Sequence, residues 1–223
     1  MDSLIWKHTA IMDKYDARKK IALVVDEWGG WYEVEPGTNP GFLYQQNTMR
    51  DAMIAGVTLN IFNNHSDRVR MANLAQAVNV LQSVILTDKE KMILTPTYHI
   101  MEMYNVHQDA KLIPINITSN DYVLGNQKLK AVSASASVDS TGKTHISLVN
   151  IDAKKQQDVN INLASVKSAT INGRILTSKK LQDFNSFTAP DAIKPAAFKD
   201  YTVKNKTMTV KIPPFSVVVL EMF

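Results

Sequence analysis

The stretch Ile21-Ala-Leu-Val-Val-Asp-Glu-Trp-Gly-Gly-Trp-Tyr32 decides how the rest of the chain is interpreted. Its unbroken apolar run, Ile21 to Val25, is typical of a strand buried on both faces, as in a parallel sheet covered by helices. The strand then meets two carboxylates, Asp26 and Glu27. The carboxyl ends of the strands carry the chemistry of a β/α barrel, so a carboxylate here predicts a catalytic group. The alternative is that the acidic pair only solvates a strand end, because one acidic dipeptide is a weak signal.

Aromatic side chains follow the two carboxylates at once. Trp28, Trp31 and Tyr32 are expected to surround them with flat apolar faces, a composition that suits a sugar ring. Simple packing is the alternative for Trp31, but its place next to Glu27 favours a sugar platform.

Composition excludes several classes of function. The chain has 223 residues, enough for one large or two small domains. Its net charge of +4 is spread over isolated basic clusters without interleaved aromatics, which argues against nucleic-acid binding. No cysteine is present, so a disulfide or thiolate metal site is impossible, and no His/Asp/Glu spacing suggests a metal or other cofactor.

A membrane partner is not expected either. No run approaches the ~18 apolar residues that a membrane-spanning helix needs. The first residues also lack the basic and apolar regions of a signal peptide, which is informative only if Met1 is the natural start.

The first 109 residues alternate between helical and strand patterns, which indicates βα units of a parallel sheet. Apolar spacings of three and four predict a helix over residues 3 to 17. The predicted elements after it are a strand over 21–27, a helix from about Phe42 to Ala55 ended by Gly56, a buried strand from Val57 to Phe62, a helix capped by Ser66 or Asp67 and running to about Ser83, and a helix from Thr97 to His107.

From Lys111 onward the pattern changes to short alternating runs separated by turn residues, which predicts an antiparallel β-sandwich. Asp139-Ser-Thr-Gly142 is one such turn. The predicted strands are Leu112–Thr118, Leu129–Val138, Thr144–Ile151, Asp158–Leu163, Ala169–Leu176, Thr207–Ile212 and Ser216–Met222. The chain is thus divided into an α/β part, 1–109, and an all-β part, 110–223.

The α/β part is too short for its own pattern. A complete (β/α)8 barrel takes about 250 residues, and two parallel strands cannot close one. The part is either a small unusual α/β domain or the last βα units of a larger barrel, and the second interpretation is favoured.

Three motifs resemble the α-L-arabinofuranosidases of glycoside hydrolase family 51, and the resemblance covers nearly the whole chain. The first is Val25-Asp-Glu-Trp28 followed by Trp31-Tyr32 and Glu35-Pro-Gly-Thr-Asn-Pro-Gly41. The second is Asp67-Arg-Val-Arg-Met-Ala-Asn-Leu-Ala-Gln-Ala-Val-Asn-Val80, similar to the helix after the last barrel strand. The third is Leu94-Thr-Pro-Thr-Tyr-His-Ile-Met-Glu-Met-Tyr104, which leads into the C-terminal sandwich.

The resemblance implies roles for three residues. Glu27 matches the nucleophile, Trp31 matches a tryptophan that lines the sugar site, and Gln76 matches a glutamine that contacts the bound furanose. Gly29-Gly30 departs from the Asn-Val of some members, so the resemblance does not carry over the local loop contacts. Without the resemblance, Gln76 would be interpreted as a mid-helix residue on a solvated face.

The family's general acid/base lies in an Asn-Glu motif on an earlier strand, and this sequence contains no Asn-Glu dipeptide. The resemblance therefore implies the C-terminal portion of a retaining glycosidase that acts on arabinose-containing oligo- or polysaccharides. Its implied partners are the N-terminal barrel portion and, from the family, further copies in a homo-oligomer. The alternatives are a relative that acts on β-glucans, and a non-catalytic carbohydrate-binding or structural fragment.

Overall fold

The computed structural model describes residues 1–81, 83–163 and 170–223. The chain is mostly β, with few helices. Its first half contains α1 (Asp2–Tyr15), β1 (Leu23–Trp28), a 3-10 helix (Pro40–Phe42), α2 (Met49–Asn64), β2 (Val69–Leu74), β3 (Ile85–Asp88), β4 (Lys91–Leu94), α3 (Pro96–Met103) and a second 3-10 helix (Tyr104–His107).

Strands dominate the second half. They are β5 (Lys111–Leu112), β6 (Asp121–Leu124), β7 (Gln127–Lys130), β8 (Val132–Val138), β9 (Thr144–Asn150), β10 (Gln157–Asn162), β11 (Ile171–Thr177), β12 (Ala196–Ala197), β13 (Tyr201–Lys204), β14 (Thr207–Ile212) and β15 (Ser216–Met222).

These strands form one large sheet and several small ones. The large antiparallel sheet has the order β12-β11-β15-β9-β8-β5, and a smaller antiparallel sheet has the order β10-β14-β13. Strands β1 and β2 pair in parallel, while β3–β4 and β6–β7 are separate hairpins.

The large sheet is covered on both faces. On β15, Val217 and Val219 join a core with α2 and α3, whereas Val218 and Leu220 join a second core with the small sheet. This alternation follows from the two-residue period of a strand. The first core also contains Ile5 and Trp28, so it crosses the position near residue 109 where the sequence pattern changes.

Strand β8 meets the helices with serines and the small sheet with small apolar side chains. Asn60 of α2 donates to Ser133 Oγ at 3.2 Å and accepts from Ser135 Oγ at 2.8 Å. The His107 ring contacts Ser137 Oγ at 2.7 Å and Ser147 Oγ at 2.6 Å. These bonds satisfy polar groups that are buried between the helices and the sheet.

Helix α2 differs most from its sequence prediction, because residues 57 to 62 are helical rather than a strand. Its true start is fixed by a capping box between Thr48 and Asp51. Gly56 lies inside the helix, at the point of closest approach to the sheet. A Cβ there would lie 3.1 Å from Val149 Cγ2 and 3.2 Å from Val217 Cγ2. The glycine permits close packing and does not end the helix.

The predicted helix from residue 66 to about 83 is also wrong, because β2 occupies Val69–Leu74. With α2 longer than expected, the second strand of the parallel pair moves to this position. Arg68 fixes its beginning. The buried Arg68 side chain forms ion pairs with Asp13 and Asp16 and donates to Ile21 O at 2.9 Å, which joins the end of α1 to both strand starts.

Strand β1 is less covered than its sequence predicts. Only Trp28 of this strand is buried, while Val24 is 42% exposed, and the preceding Ile21 is 64% exposed. One face of β1 packs through Leu23 and Val25 on the first core. No element among the described residues covers its other face to the extent that a two-sided parallel sheet requires.

Most strand predictions in the second half are confirmed, and the Asp139 to Gly142 turn closes the β8–β9 hairpin. The expected strand over Leu112–Thr118 is wrong beyond Leu112, and the expected single strand Leu129–Val138 is divided, because Leu129 belongs to β7 and β8 begins at Val132. Part of the expected strand start at Ala169 lies outside the described residues, and β11 begins at Ile171. Sequence reasoning missed the β3–β4 hairpin and strands β6, β12 and β13.

Candidate active site

The two carboxylates lie at the C-terminal end of β1, in an irregular part of its pairing with β2. Val25 pairs with Ala72 and Trp28 with Leu74, so Asp26 and Glu27 together oppose the single residue Asn73. This two-against-one arrangement is a β-bulge, a feature that is over-represented next to active sites because it re-aims side chains. Strict alternation therefore does not apply here, and both carboxylates are exposed.

Trp28 does not belong to the surroundings of the carboxylates. It is 5% exposed and packs edge-on against Phe62 of α2, with ring centroids 5.5 Å apart. The expectation that it would form part of a sugar platform is wrong, because the bulge turns it into the core. Its Nε1 has no hydrogen-bond partner among the described residues.

Trp31 is 63% exposed, directly after the two glycines. Its neighbour Tyr32 anchors this stretch: the Tyr32 N–H donates to Gln45 Oε1 at 2.7 Å, and the Arg50 guanidinium lies 3.6 Å over the Tyr32 ring. Burial, the largest cause, raises the pKa of Tyr32, so the phenol stays neutral. Trp31 is thus an open aromatic face on a loop with a fixed base.

Glu35 closes the rest of this loop through one backbone and one side-chain hydrogen bond. The Glu35 N–H donates to Tyr44 O at 3.0 Å, and Glu35 Oε1 accepts from the Gln46 N–H at 3.0 Å. The Gln45 side chain is almost fully buried between this closure and Tyr32. Since both ends of the loop are held, Trp31 projects from an ordered support.

Gln76 lies two residues beyond β2 and is exposed, so the expectation that it sits in the middle of a helix is wrong. The Ala75 N–H donates to Trp28 O at 3.4 Å, which continues the β1–β2 pairing up to this point. Parallel strands end at the same edge, so the structure brings Glu27 and Gln76 to one edge of the sheet. Asn73, which opposes the carboxylates, was missed because its segment was interpreted as helix.

His65 follows the segment from Val57 to Phe62, which the sequence predicts as a strand, but the structure does not place it at a strand's carboxyl end. It caps the C-terminus of α2, and its Nε2 lies 2.7 Å from Asp2 Oδ1. Because β2 starts after it, His65 is at the opposite end of the strands from Glu27. This follows from the helical conformation of residues 57 to 62.

No group of three or more His, Asp or Glu side chains within the described ranges could hold a metal ion. Among the same residues, no helix is long and apolar enough to cross a membrane. The edge of the β1–β2 sheet therefore offers two carboxylates, an exposed indole and polar amides as its chemical groups.

Comparisons with known proteins show which family the chain resembles. The family model described as the alpha-L-arabinofuranosidase C-terminal domain matches residues 26–216, beginning at Asp26. An intracellular exo-alpha-L-arabinofuranosidase of Bacteroides ovatus is 50% identical over the whole of this chain, which covers 43% of that protein. The chain thus spans less than half the length of this curated relative.

Solved structures give the same relationship. The GH51 arabinofuranosidase of Xanthomonas axonopodis pv. citri superimposes with a TM-score of 0.97 at 47% identity, over all of this chain and 45% of that one. The α-L-arabinofuranosidase of Thermotoga maritima, solved as an arabinose complex, matches with a TM-score of 0.80 at 23% identity, over 100% of this chain and 46% of that one, and shows the shared fold alone. On the match of its own residues 26–216, the chain belongs to the α-L-arabinofuranosidase C-terminal domain family.

Proposed function

We propose that this chain is the C-terminal portion of a retaining α-L-arabinofuranosidase in which Glu27 is the nucleophile. The observation that carries the proposal is the position of Asp26 and Glu27 in a bulge at the carboxyl end of β1, one strand away from Gln76. Strand ends of this kind hold the catalytic groups of β/α barrels. The family membership supports the same reaction class.

Strands β1 and β2 would be the last two strands of a (β/α)8 barrel. A parallel pair with one open face is not a complete sheet, because parallel sheets are covered on both faces. Large apolar side chains stay exposed on α1, just before β1 and on β1 and β2, and such exposure fits a surface that a missing partner covers. They include Leu4, Ile11, Ile21, Val24 and Met71. The rest of the barrel is the partner we propose for this surface.

The second half would form the β-sandwich that follows the barrel. Its two antiparallel sheets share a continuous core, and α2 and α3 attach the large sheet to β1 and β2. In this arrangement the sandwich supports the barrel end and contributes no reacting group.

A retaining glycosidase needs two carboxyl groups about 5–5.5 Å apart. Glu27 would attack the anomeric carbon of the arabinofuranosyl unit and form the glycosyl intermediate. A second carboxyl group protonates the leaving oxygen and then activates water. Asp26 is a poor candidate for that group because it is the sequence neighbour of Glu27 on the same strand, whereas the two carboxyl groups must flank the glycosidic bond. The acid/base would come from the earlier part of the barrel, so this chain alone would be inactive.

The remaining groups at the edge fit a small furanose. Trp31 offers an open indole face on which a sugar can stack, and the Gln76 amide can donate to and accept from ring hydroxyls. These two residues would hold the terminal arabinofuranose of an arabinose-containing polysaccharide while Glu27 attacks it.

The proposal is tested by assaying the complete gene product and the 223-residue chain on p-nitrophenyl α-L-arabinofuranoside, with p-nitrophenyl β-D-glucoside as comparator. We expect hydrolysis of the arabinofuranoside by the complete product only. Preference for the glucoside would favour a β-glucan-acting relative. If neither form hydrolyses either substrate, a non-catalytic carbohydrate-binding fragment becomes the better explanation.

A further inference from the structure

We propose that Asn79 is a positioning residue for Gln76, and that the β3–β4 hairpin is the support on which it acts. The inference rests on the function proposed for Gln76 and assigns a residue that acts through it. Gln76 belongs to the loop 75–81, which follows β2 and precedes the hairpin.

The four residues from Gln76 to Asn79 have no apolar burial to hold them in place, whereas Leu81 at the end of the loop is 4% exposed. Residues 76 to 79 are all exposed. Segments with few buried contacts are the ones that open most easily, unless hydrogen bonds hold them. The position of the Gln76 amide therefore depends on the bonds that this loop makes with its neighbours.

Backbone bonds tie the loop to the first residue of β3. The Ile85 N–H donates to Ala77 O at 3.0 Å, and the Asn79 N–H donates to Ile85 O at 3.2 Å. Val78 thus forms a short parallel bridge with Ile85. These bonds begin one residue after Gln76.

The Asn79 side chain extends this bridge to Thr87, two residues beyond Ile85 on β3. Its Oδ1 accepts from the Thr87 N–H at 2.8 Å, and its Nδ2 lies 2.8 Å from Thr87 Oγ1 and 3.3 Å from Thr87 O. The amide group therefore replaces a peptide unit and pairs with the outer edge of β3. A single side chain makes all of these contacts.

The conformation of Asn79 suits this role. Its φ is +54°, a left-handed conformation that asparagine tolerates better than most residues. We call the contacts of the Asn79 side chain with Thr87 the clamp. Glycine would keep the backbone conformation and lose only this clamp. Alanine would lose the clamp and add strain, so glycine is the cleaner substitution.

The support is itself anchored. Leu86 of β3 and Ile93 of β4 are each 5% exposed, and the Thr95 N–H donates to Val84 O at 3.0 Å. Beyond Asn79, the Leu81 N–H donates to Leu43 O at 3.1 Å in the loop that carries Trp31. The two loops at the carboxyl edge of β1 and β2 are thus held by one connected framework.

The first test measures the clamp in the 223-residue chain by amide hydrogen exchange. We expect Asn79→Gly to remove the protection of the Thr87 N–H, and Asn79→Asp to retain part of it because a carboxylate still accepts from that N–H. The matched control is Asn205→Gly, which changes another exposed left-handed asparagine (φ +50°) in the remote β13–β14 turn. Unchanged Thr87 protection in Asn79→Gly would overturn the proposal.

The second test measures kcat and KM of the complete gene product on p-nitrophenyl α-L-arabinofuranoside. Asn79→Gly should lower kcat/KM by about tenfold, mainly through KM, since an ångström-scale displacement of a substrate-contacting group has effects of this order or larger. Asn79→Asp should recover part of the loss, and Asn205→Gly should match the wild type.

Coupling to Gln76 separates positioning from a general structural effect. If Asn79 acts through Gln76, the double variant Asn79→Gly/Gln76→Ala should be no worse than Gln76→Ala alone. If Gln76→Ala lowers kcat/KM but Asn79→Gly keeps wild-type kcat and KM, this inference is overturned and the proposed function stands. An inactive wild-type product removes the proposed function and the inference together, whereas a silent Gln76→Ala overturns the role of Gln76 and this inference and leaves the reaction proposed for Glu27 standing.

Discussion

The β1–β2 sheet and the large sheet contain strands of similar composition in opposite surroundings. Ile21, just before β1, is 64% exposed, and Val24 in β1 is 42% exposed. Val218 and Leu220 on β15 are fully buried. The large sheet has helices on one face and the small sheet on the other, but within the described part of the chain the β1–β2 pair is covered on one face. An apolar strand therefore indicates that a covering layer is needed, and that layer need not lie within the same stretch of chain.

The largest expected effect concerns the chemical group on the open sheet. In the complete gene product, Glu27→Gln should lower kcat by several orders of magnitude, because the proposed mechanism assigns the formation of the glycosyl intermediate to the Glu27 carboxylate. Thermal stability should change little, since the side chain is exposed. Kinetics on an aryl arabinofuranoside and a melting curve check the two statements.

Azide provides the control for this assignment. It should restore part of the activity of Glu27→Ala and none of that of Asp26→Ala, whose loss should be smaller and indirect. Near-normal turnover by Glu27→Gln would rule out Glu27 as the nucleophile.

The next effect compares the two sheets directly. Leu220→Ala should destabilise the chain by about 2–5 kcal/mol, because it leaves a cavity in a fully packed core. Ile21→Ala should cost no more than about 0.5 kcal/mol in the same chain, as substitutions at exposed positions generally do. Urea unfolding of both variants gives the two values. Equal losses would contradict the contrast between the sheets.

Acid should act on the covered sheet through His107. Burial, aided by the nearby His145, lowers the pKa of His107 to about 4 from its ordinary 6.5. The unfolded state therefore binds a proton on His107 at a higher pH than the folded state does. The contribution of neutral His107 to the free energy of unfolding is complete above pH 6.5 and is lost as the pH falls toward 4. The difference between the pKa values of about 4 and 6.5 corresponds to about 3 kcal/mol of unfolding free energy.

Unfolding free energies at pH 7.5 and 4.5 measure this contribution against His107→Gln, which cannot titrate. The variant should be less stable at pH 7.5 and show a smaller loss between the two pH values. The same pH dependence in both proteins would assign the acid sensitivity to other groups.

The smallest expected effect concerns a link between α3 and the large sheet. Arg174 of β11 pairs with Glu102 through two contacts of 2.7 Å, and this pair lowers the pKa of Glu102. Both side chains are about two-fifths exposed, so solvent screens the pair, and Arg174→Met should cost about 0.5–1 kcal/mol or less. The difference should shrink in 1 M NaCl. A loss that is unaffected by salt would point to packing of the arginine stem.

Part of this architecture could be predicted from local pattern alone. Strands such as β9, β14 and β15 follow from alternating apolar residues between turn signals, and α1 follows from its three-and-four spacing. The position of the acidic pair at a strand's carboxyl end also follows, because Val25 ends an apolar run and Gly29 comes soon after Glu27.

The errors occurred where distant residues decide the conformation. The sequence by itself determined the apolar strand, the carboxylates that follow it and the β character of the second half, since these depend on neighbours along the chain. Only the tertiary structure decided that Gly56 continues α2 against Val149 and Val217, and that Trp28 turns into the core. The same holds for Gln76, which lies beside the end of β1 because β2 pairs with it. Packing and strand pairing join residues far apart in sequence, and no local period records those contacts.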